Sequence, residues 1–427
     1  LLNKYIDTAK RELSINYKNL NKIEIDNIGL ITAIRLIKID KLFPLLVDNL
    51  IEEIYIDSFD DYVYLDHQKF NRCRTKIHLD EKEFESLKTL LRLTSTKRLD
   101  LSNPSVKCII QNVFFNCRFT LDVYPIQRNG FSLDIRKMNK RIFTLPELIY
   151  RKMLSSEIAS FLYFCVINRL NITIVGETNT GKTTLMNSLD LLAPKQFRKV
   201  YVEEAPESLS QNGYDLHQLK YHVDPNNRNL SISSKTGQIY KLLHRNPDII
   251  YLGEILNTEE ATAMFHCLSA GLVGFQTIHA RGISSLLNRW KYHFKIDNSC
   301  LRDLDIILIL RKKNNRMVYQ ILELEVENNI IRKNEIFRYN PNTLSWDLIA
   351  DIDRLRCLKR LMLSSYEYKN LKKELAFYKK IFEYFVSERN WNIIDQINVF
   401  HKFYTNIYKT KSTESHVNWD QLAEKLK

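Results

Sequence analysis

The chain of 427 residues is long enough for two or three domains, because single hydrophobic cores seldom grow beyond about 250 to 300 residues. A hydrophobic fraction of 44% and an aromatic fraction of 11% exclude a globally disordered chain. The formal net charge of +13 is compatible with nucleic acid, anionic lipid or an acidic protein as partner, but the lysines and arginines are dispersed, so the charge alone selects none of them.

The sequence offers no obvious membrane or export segment. Asn168 and Arg169 interrupt the most apolar region before it reaches the roughly 18 to 20 residues that a membrane-spanning helix needs. Lys4, Asp7 and Lys10 break up any apolar region of a signal peptide. The seven cysteines are an odd number, lie far apart and include no CxxC pair. We therefore expect a soluble, reduced, cytosolic protein.

The N-terminal part of the sequence changes its pattern once. Apolar positions separated by charges predict helices over residues 1–50. Short strands follow at Glu53–Asp57 and Tyr62–Leu65, and a helix is predicted around Glu81–Leu93. We interpret residues 51–130 as a small α+β domain.

The central part alternates apolar strands with helical patterns. Such alternation predicts a mostly parallel sheet with helices on its faces. We place an interdomain linker at 131–150 and an α/β nucleotide-binding domain at 151–350. Its predicted strands are Asn171–Val175, Val200–Val202, Ile249–Leu252, Phe275–Ile278 and Asp305–Leu310.

The last part of the sequence, residues 351–427, is predicted to be a helical extension. Apolar residues recur there at intervals of three and four, which is typical of a helix packed on a larger domain. The stripe consists of Leu371, Leu375, Tyr378, Phe382 and Phe385. We assign it no chemistry.

A glycine-rich loop follows the first strand of the central region. Residues Gly176–Thr183 match GxxxxGK[ST] between a predicted strand and a helical run, which is the context of a P-loop rather than of a chance glycine turn. The glycines let successive N–H groups point at phosphates, and the following helix adds its positive end. Lys182 is expected to reach the β- and γ-phosphates and Thr183 to ligate Mg²⁺. We predict ATP contacts from Gly176, Glu177, Thr178, Asn179, Thr180, Gly181, Lys182, Thr183 and Thr184.

Carboxylates follow two other predicted strands. Hydrolysis needs an acid that orients water and supports the metal. Ile249–Leu252 ends in a Gly-Glu pair, as a Walker B element does, and Glu254 is predicted to activate water or to bind Mg²⁺. Val200–Val202 ends in Glu203, a second candidate catalytic acid. The alternative for either glutamate is a solvated charge at a strand end.

With these elements in order, the chain resembles the type II and type IV secretion ATPase superfamily, and it looks most like the archaeal members that drive pilus or archaellum assembly. The resemblance covers roughly residues 45–410. Besides the P-loop, the segments that carry it are similar to the family's Asp box, Walker B element, His box, N-terminal Glu-Asp-Ile strand and linker: Val202–Glu207, Asn246–Glu254, Ala270–Ala280, Glu52–Ile54 and Phe131–Lys137.

The resemblance implies an architecture and an assembly. The fold class is then α/β, with a RecA-like P-loop NTPase core, a smaller N-terminal α+β domain, and helical N- and C-terminal extensions. Members work as ring hexamers that use ATP and Mg²⁺ and pass movement to a polytopic membrane platform protein, which lifts pilin-like subunits. The chain would lie at the inner face of the cell membrane and would not bind nucleic acid directly. A hinge near residues 129–143 would open and close the domains.

The resemblance also implies roles for basic residues. Arg136, with Arg118 and Arg141 as further candidates, would act as an arginine finger, which stabilises the charge that spreads over a departing γ-phosphate. Exposed surface arginines are the alternative. His279 would hydrogen-bond a phosphate or a neighbouring subunit, or it would be a satisfied structural histidine.

Four positions depart from the family pattern. Leu272 replaces the first His of the His box, and Leu256 replaces the Arg after the Walker B Gly-Glu. His244 stands where an Arg is usual before Pro247, and Glu204 replaces the Asp-box aspartate. Each change removes a hydrogen-bond donor or shifts a carboxylate, so slow or partner-dependent turnover is expected.

Several readings of the sequence remain open. A DNA-transfer ATPase of a type IV system and a pilus-retraction motor share the same core. A helicase would fit the basic charge, but the sequence has no aromatic-basic stacking segment. A degenerate subunit that binds nucleotide as a scaffold is the alternative outside enzymes.

Overall fold

The chain is described by a computed structural model over residues 2–59, 61–95, 98–128, 130–138, 141–204, 207–223, 234–313, 315–352, 355–362 and 371–412. It divides into two compact units, Leu1–Lys140 and Arg141–Lys427. This boundary falls inside the segment predicted as a linker, 131–150. Phe131–Lys137 of that segment is a strand of the first unit's sheet rather than a linker. Asn129, at one end of the expected hinge, lies outside the described residues.

The first unit begins with helices, as the sequence predicts, and continues with an antiparallel sheet. The helices are α1 (Leu2–Asn16), α2 (Lys22–Leu36), α3 (Phe43–Val47) and α4 (Glu81–Ser95). The strands are β1 (Ile51–Ile56), β2 (Tyr64–His67), β3 (Asn71–Arg74), β4 (Ser105–Gln111), β5 (Asn116–Val123) and β6 (Phe131–Lys137). Their order in the sheet is β3-β2-β1-β6-β5-β4.

Alternation along these strands separates a core face from a polar face. Ile135 of β6 is buried opposite Phe119 of β5, and both belong to one hydrophobic cluster with Phe84 of α4. The neighbouring register pair is Arg118 and Arg136, which therefore project from the other face. Glu53 of β1 lies opposite Arg136 on the other side of β6, so this face carries charges of both signs.

The second unit contains a nine-stranded sheet in the order β15-β14-β13-β12-β7-β11-β10-β8-β9. The strands are β7 (Ile172–Val175), β8 (Lys199–Glu203), β9 (Gln218–His222), β10 (Ile249–Glu254), β11 (Gly274–Ile278), β12 (Ile306–Lys312), β13 (Arg316–Glu327), β14 (Ile330–Asn340) and β15 (Ser345–Leu348). The six strands from β12 to β9 in this order are parallel, as predicted. The sequence analysis did not predict β13, β14 and β15, which extend the sheet in antiparallel fashion.

Helices cover both faces of this sheet. They are α5 (Leu145–Tyr150), α6 (Ser156–Ile167), α7 (Lys182–Leu191), α8 (Lys235–Lys241), α9 (Thr258–Ser269), α10 (Ile283–Asn288), α11 (Arg356–Met362), α12 (Leu371–Ser387) and α13 (Ile393–Ser412). One hydrophobic cluster contains α6, α7 and α12, and another contains α8, α9 and α10. Of the predicted stripe on α12, Leu371, Tyr378, Phe382 and Phe385 are buried in the first of these clusters, and Leu375 is partly buried against it. Within the described parts of the chain, no helix combines the length and the apolar character needed to span a bilayer.

The sheet order brings separated segments of sequence to one edge. Strand β7 lies between β11 and β12, and β11 separates it from β10. Because these strands are parallel, their carboxyl ends meet at the same edge of the sheet. Gly176 follows β7, Glu254 ends β10 and His279 follows β11, so the candidate site residues converge there.

Candidate functional site

The loop between β7 and α7 has a conformation that depends on its glycines. A Cβ on Gly176 would lie 2.5 Å from Thr180 Oγ1 and 3.1 Å from the Leu310 carbonyl oxygen, so this position has no room for a side chain. Gly181, the residue that caps α7, has a φ of 92°, and Asn179 has a φ of 61°. The loop therefore turns tightly just before α7 and leaves the N–H groups of the first helical turn without helical acceptors.

The ammonium group of Lys182 lies inside this loop. Its Nζ donates to the carbonyl oxygens of Gly176 at 3.0 Å and of Glu177 at 2.9 Å. It also lies 3.1 Å from Nδ1 of His279. The lysine is only 8% exposed, and these three contacts match its three donors. A cation is thus held where a P-loop binds the terminal phosphates of a nucleotide.

The imidazole of His279 links Lys182 to the acid at the end of β10. Its Nε2 lies 2.6 Å from Glu254 Oε1, and its backbone oxygen accepts a 2.7 Å hydrogen bond from Arg289. Because Lys182 can only donate, His279 Nδ1 must accept, which leaves Nε2 to carry the proton toward Glu254. Burial raises the pKa of Glu254, but pairing with His279 and the charge of Lys182 outweigh burial and leave that pKa below its ordinary value. Glu254 is therefore an ionised acceptor beside the loop.

A carboxylate to which the sequence analysis gave no role contacts the last residue of the loop. Thr183 Oγ1 donates to Glu207 Oε2 at 2.6 Å. The Asn187 side chain holds both partners in place, because its Nδ2 donates to the Thr183 carbonyl at 3.0 Å and to the Glu207 carbonyl at 3.1 Å. The signal in the sequence was the position of Glu207 four residues after Glu203 in the Asp-box-like segment.

The predicted acid Glu203 has a different environment. Its side chain is 4% exposed and accepts hydrogen bonds from the Ser208 backbone N–H at 2.9 Å and from the Ser208 hydroxyl. Burial raises the pKa of Glu203 to about 7, against the opposing effects of Ser208 and of the Lys220 charge. Glu203 thus lies at the end of β8, and its carboxylate is bound to Ser208, the residue after Glu207.

Arg316, at the start of β13, contacts the outer turn of the P-loop. Its Nε donates to the Asn179 carbonyl at 2.9 Å, and its Nη2 donates to Asn179 Oδ1 at 2.5 Å. The two residues are 137 positions apart in sequence. This contact depends on the antiparallel extension of the sheet, so local sequence patterns gave no signal for it.

The three predicted arginine fingers have different surroundings. Arg136 Nε lies 3.4 Å from Glu53 Oε1 on the polar face of the first unit's sheet, where Arg118 is its neighbour across the strands. Arg141 belongs to the second unit and donates to both carboxylate oxygens of Glu147, at 2.7 and 2.8 Å. Burial raises the pKa of Glu147, but hydrogen bonds from Arg141 and from Arg151 outweigh it and lower that pKa. Arg141 is therefore already committed to a buried carboxylate.

Two of the replaced family positions have clear surroundings. Leu256 is 43% exposed, and its backbone N–H donates to Glu260 at 3.1 Å. Leu272 packs against the hydrophobic cluster on the face of α8 and α9. Neither side chain supplies a hydrogen-bond donor at the loop, as the sequence analysis expected from these replacements.

The oxygen atoms near Thr183 suit magnesium. The Thr183 hydroxyl and the Glu207 carboxylate are hard oxygen donors, which Mg²⁺ prefers, and Mg²⁺ at a phosphate site takes few protein ligands because phosphate and water supply the rest. No cluster of three or more His, Cys, Asp or Glu residues that could hold a metal occurs in the portion of the chain that the structure describes.

Comparisons with known proteins give a family and more distant likenesses. The sequence profile of the family described as "Type II/IV secretion system protein" matches residues 46–311, more than half of the chain. An uncharacterized protein of Methanocaldococcus jannaschii is 25% identical over 229 residues, which are 52% of this chain and 31% of that protein. Protein VirB11 of Rhizobium radiobacter is 27% identical over 133 residues, 31% of this chain and 38% of VirB11. The chain thus spans about a third of the length of each of these relatives.

A solved structure is similar in outline. The ATPase DotB of Legionella pneumophila superposes with a TM-score of 0.47 and 12% identity, covering 89% of this chain and 94% of DotB.

Proposed function

Since the chain belongs to the type II/IV secretion system protein family, we propose that it is a Mg²⁺-dependent ATPase that powers the assembly of a pilus-like or archaellum filament, or of a secretion pseudopilus. The observation that carries this proposal is the line of contacts from Lys182 through His279 to Glu254 at the carboxyl edge of a parallel sheet. In this arrangement one histidine contacts both the lysine that would bind phosphate and the ionised acid that would orient water.

Nucleotide binding follows from the loop. The β- and γ-phosphates take the place of the Gly176 and Glu177 carbonyl oxygens as acceptors for Lys182, and the N-terminus of α7 supplies N–H donors. Thr183 and Glu207 would hold Mg²⁺, and the predicted ligand Glu254 lies at the same edge of the sheet. When bound, Mg²⁺ neutralises charge on the β- and γ-oxygens.

Hydrolysis needs a water molecule aligned with the γ-phosphorus. Glu254 accepts a hydrogen bond from that water and orients it, because its carboxylate is ionised and His279 fixes one of its oxygens. Water oxygen bonds to the γ-phosphorus as the bond to the ADP oxygen breaks, which gives ADP and phosphate. Glu203, the other predicted acid, acts through Ser208 by shaping the segment that carries Glu207.

Negative charge on the departing phosphoryl group can be stabilised by an arginine. Arg136 is the proposed finger, because its pair with Glu53 is long, at 3.4 Å, and partly exposed, so the guanidinium can exchange Glu53 for an anionic ligand. Arg141 is a poorer candidate, since Glu147 already binds its guanidinium.

The assembly and partners of the proposed motor come from the family. We propose a homohexameric ring that is cytoplasmic, that meets the membrane through a polytopic platform protein, and that moves pilin-like subunits only indirectly. A DNA-transfer role is the alternative within enzymes, because a DNA-transfer ATPase of a type IV system would share the same core. A nucleotide-binding scaffold is the alternative outside enzymes, and the loss of polar side chains at Leu256 and Leu272 favours it.

Phosphate release from Mg-ATP tests the proposal. The purified chain, with membranes that contain the platform protein, should release phosphate, and Lys182→Ala should abolish that release. Nucleotide binding with no release under any of these conditions would leave the scaffold. Light scattering with a non-hydrolysable ATP analogue should give six chains per particle, and a monomer under every condition would contradict the ring.

A further inference from the structure

A buried lysine outside the P-loop contacts the backbone of the proposed catalytic acid. Lys235 begins α8, and its side chain is 5% exposed. Its Nζ donates to the backbone carbonyl of Glu254. The same Nζ lies 2.7 Å from Glu260 Oε2, and the Glu260 side chain is only 2% exposed. One ammonium group thus joins the end of β10 to the first turn of α9.

Glu260 extends this connection along the chain. Its Oε2 accepts from the Leu256 N–H at 3.1 Å, and its Oε1 accepts from Asn257 Nδ2 at 2.9 Å. Asn257 in turn caps α9 by accepting from the Glu260 N–H at 2.9 Å. We call Lys235, Glu254, Leu256, Asn257 and Glu260 the β10 clip. The clip fixes the backbone just where the catalytic carboxylate leaves the sheet.

The energetics of the clip favour a role in geometry over a role in stability. Removing two charges from water is costly, and their attraction largely offsets that cost, so a buried ion pair adds little net stability. Its directional bonds, however, hold one backbone arrangement. Glu254 meets His279 at 2.6 Å, and a shift of about 1 Å at a reacting group can cost on the order of 100-fold in rate.

We propose that Lys235 is a positioning residue for Glu254, which it acts upon through the Glu254 carbonyl and through Glu260. The inference rests on the proposed ATPase function and deepens it, because Lys235 lies outside the P-loop and its ammonium group contacts Glu254 and Glu260. It predicts a separation of effects: loss of Lys235 slows the chemical step and leaves nucleotide binding intact.

Four variants of the full chain test this role: Lys235→Met, Glu260→Gln, the double variant, and Lys241→Met as a control on the last turn of the same helix. Lys235→Met should lower kcat on the order of 10- to 100-fold, with little change in KM or in the Kd of a non-hydrolysable ATP analogue. Lys241→Met should match the wild type in both respects.

The double variant separates positioning from stability. Lys235→Met with Glu260→Gln leaves no uncompensated buried charge and keeps the acceptor for Leu256, so its Tm should rise above that of Lys235→Met toward the wild-type value while kcat stays low. Recovery of both Tm and kcat would overturn the proposal, as would a kcat of Lys235→Met equal to that of Lys241→Met.

Amide hydrogen exchange of residues 255–257 gives a readout that does not need turnover. Exchange should be faster in Lys235→Met and in the double variant than in the wild type or in Lys241→Met. If the wild type hydrolyses no ATP, the proposed function fails, and this measurement alone decides the clip: faster exchange supports it and unchanged exchange overturns it.

Discussion

Thr183 Oγ1 donates a 2.6 Å hydrogen bond to Glu207 Oε2, so the residue expected to ligate Mg²⁺ already faces a carboxylate. The contact joins α7 to the segment after β8, and Asn187 holds it from α7. Since a P-loop threonine ligates Mg²⁺ through the same hydroxyl, Glu207 lies beside the metal position.

Glu207→Gln should therefore weaken the response to magnesium. We expect the Mg²⁺ concentration for half-maximal ATPase activity to rise on the order of 10-fold or more, because a negative partner of the metal is lost. A Mg²⁺ titration at fixed ATP measures this. Glu259→Gln, at an exposed position of α9, is the control, and an identical magnesium requirement in both variants would rule out a role for Glu207.

Glu203 gives a prediction for stability as a function of pH. Burial raises its folded pKa to about 7 from an ordinary value of 4.5, so the folded chain holds a proton that the unfolded chain has lost. The resulting stabilisation is complete below pH 4.5 and disappears as the pH rises through 7. Glu203→Gln lacks this dependence. The free energy of unfolding of Glu203→Gln minus that of the wild type should thus increase by about 3 kcal/mol as the pH is raised from 5 to 8. Denaturant unfolding at the two pH values measures it, and a constant difference would show that Glu203 is not protonated in the fold.

The two glutamates also show what sequence patterns could and could not predict. Strands β7, β8, β10 and β11 were predictable because each is a short apolar run, and the glycine spacing located the P-loop. Both acids were visible near the end of β8. Sequence patterns could not distinguish their roles, because these depend on side-chain contacts: Ser208 binds Glu203, and Asn187 holds Glu207 near Thr183.

The parts that were missed depend on contacts between distant residues. Arg316 reaches Asn179 only because β13 pairs with β12 in antiparallel fashion. The β10 clip joins α8 to α9, and no local sequence pattern in either helix indicates that the two are in contact. By contrast, His279 was predicted because the His-box resemblance is local, although its bridging position required the sheet order.

His279→Ala should separate binding from turnover. The ammonium group of Lys182 loses its contact with His279 and can move more readily to a phosphate. The affinity for nucleotide should therefore not fall. Glu254 loses the partner that orients it, so kcat should drop on the order of 100-fold. Single-turnover hydrolysis combined with equilibrium binding checks both parts. A large loss of affinity with normal kcat would show that His279 serves the phosphate instead of Glu254.

Arg136→Ala tests the proposed finger. If Arg136 meets the γ-phosphate, kcat should fall on the order of 1,000-fold with ADP affinity retained, because a guanidinium acts on charge that develops during transfer. Arg72→Ala is the matched control, since Arg72 lies in the same sheet and pairs with Asp66. Equal activities of the two variants would assign Arg136 to the surface pair with Glu53.

Equilibrium binding of a fluorescent ATP analogue to the wild type and to Lys182→Ala, with and without Mg²⁺, decides whether the loop is a nucleotide site. We expect saturable binding that Mg²⁺ strengthens and that Lys182→Ala weakens on the order of 100-fold or more, since the buried ammonium is the main cation in the loop. Equal affinity of the two proteins, or no binding by the wild type, would contradict it.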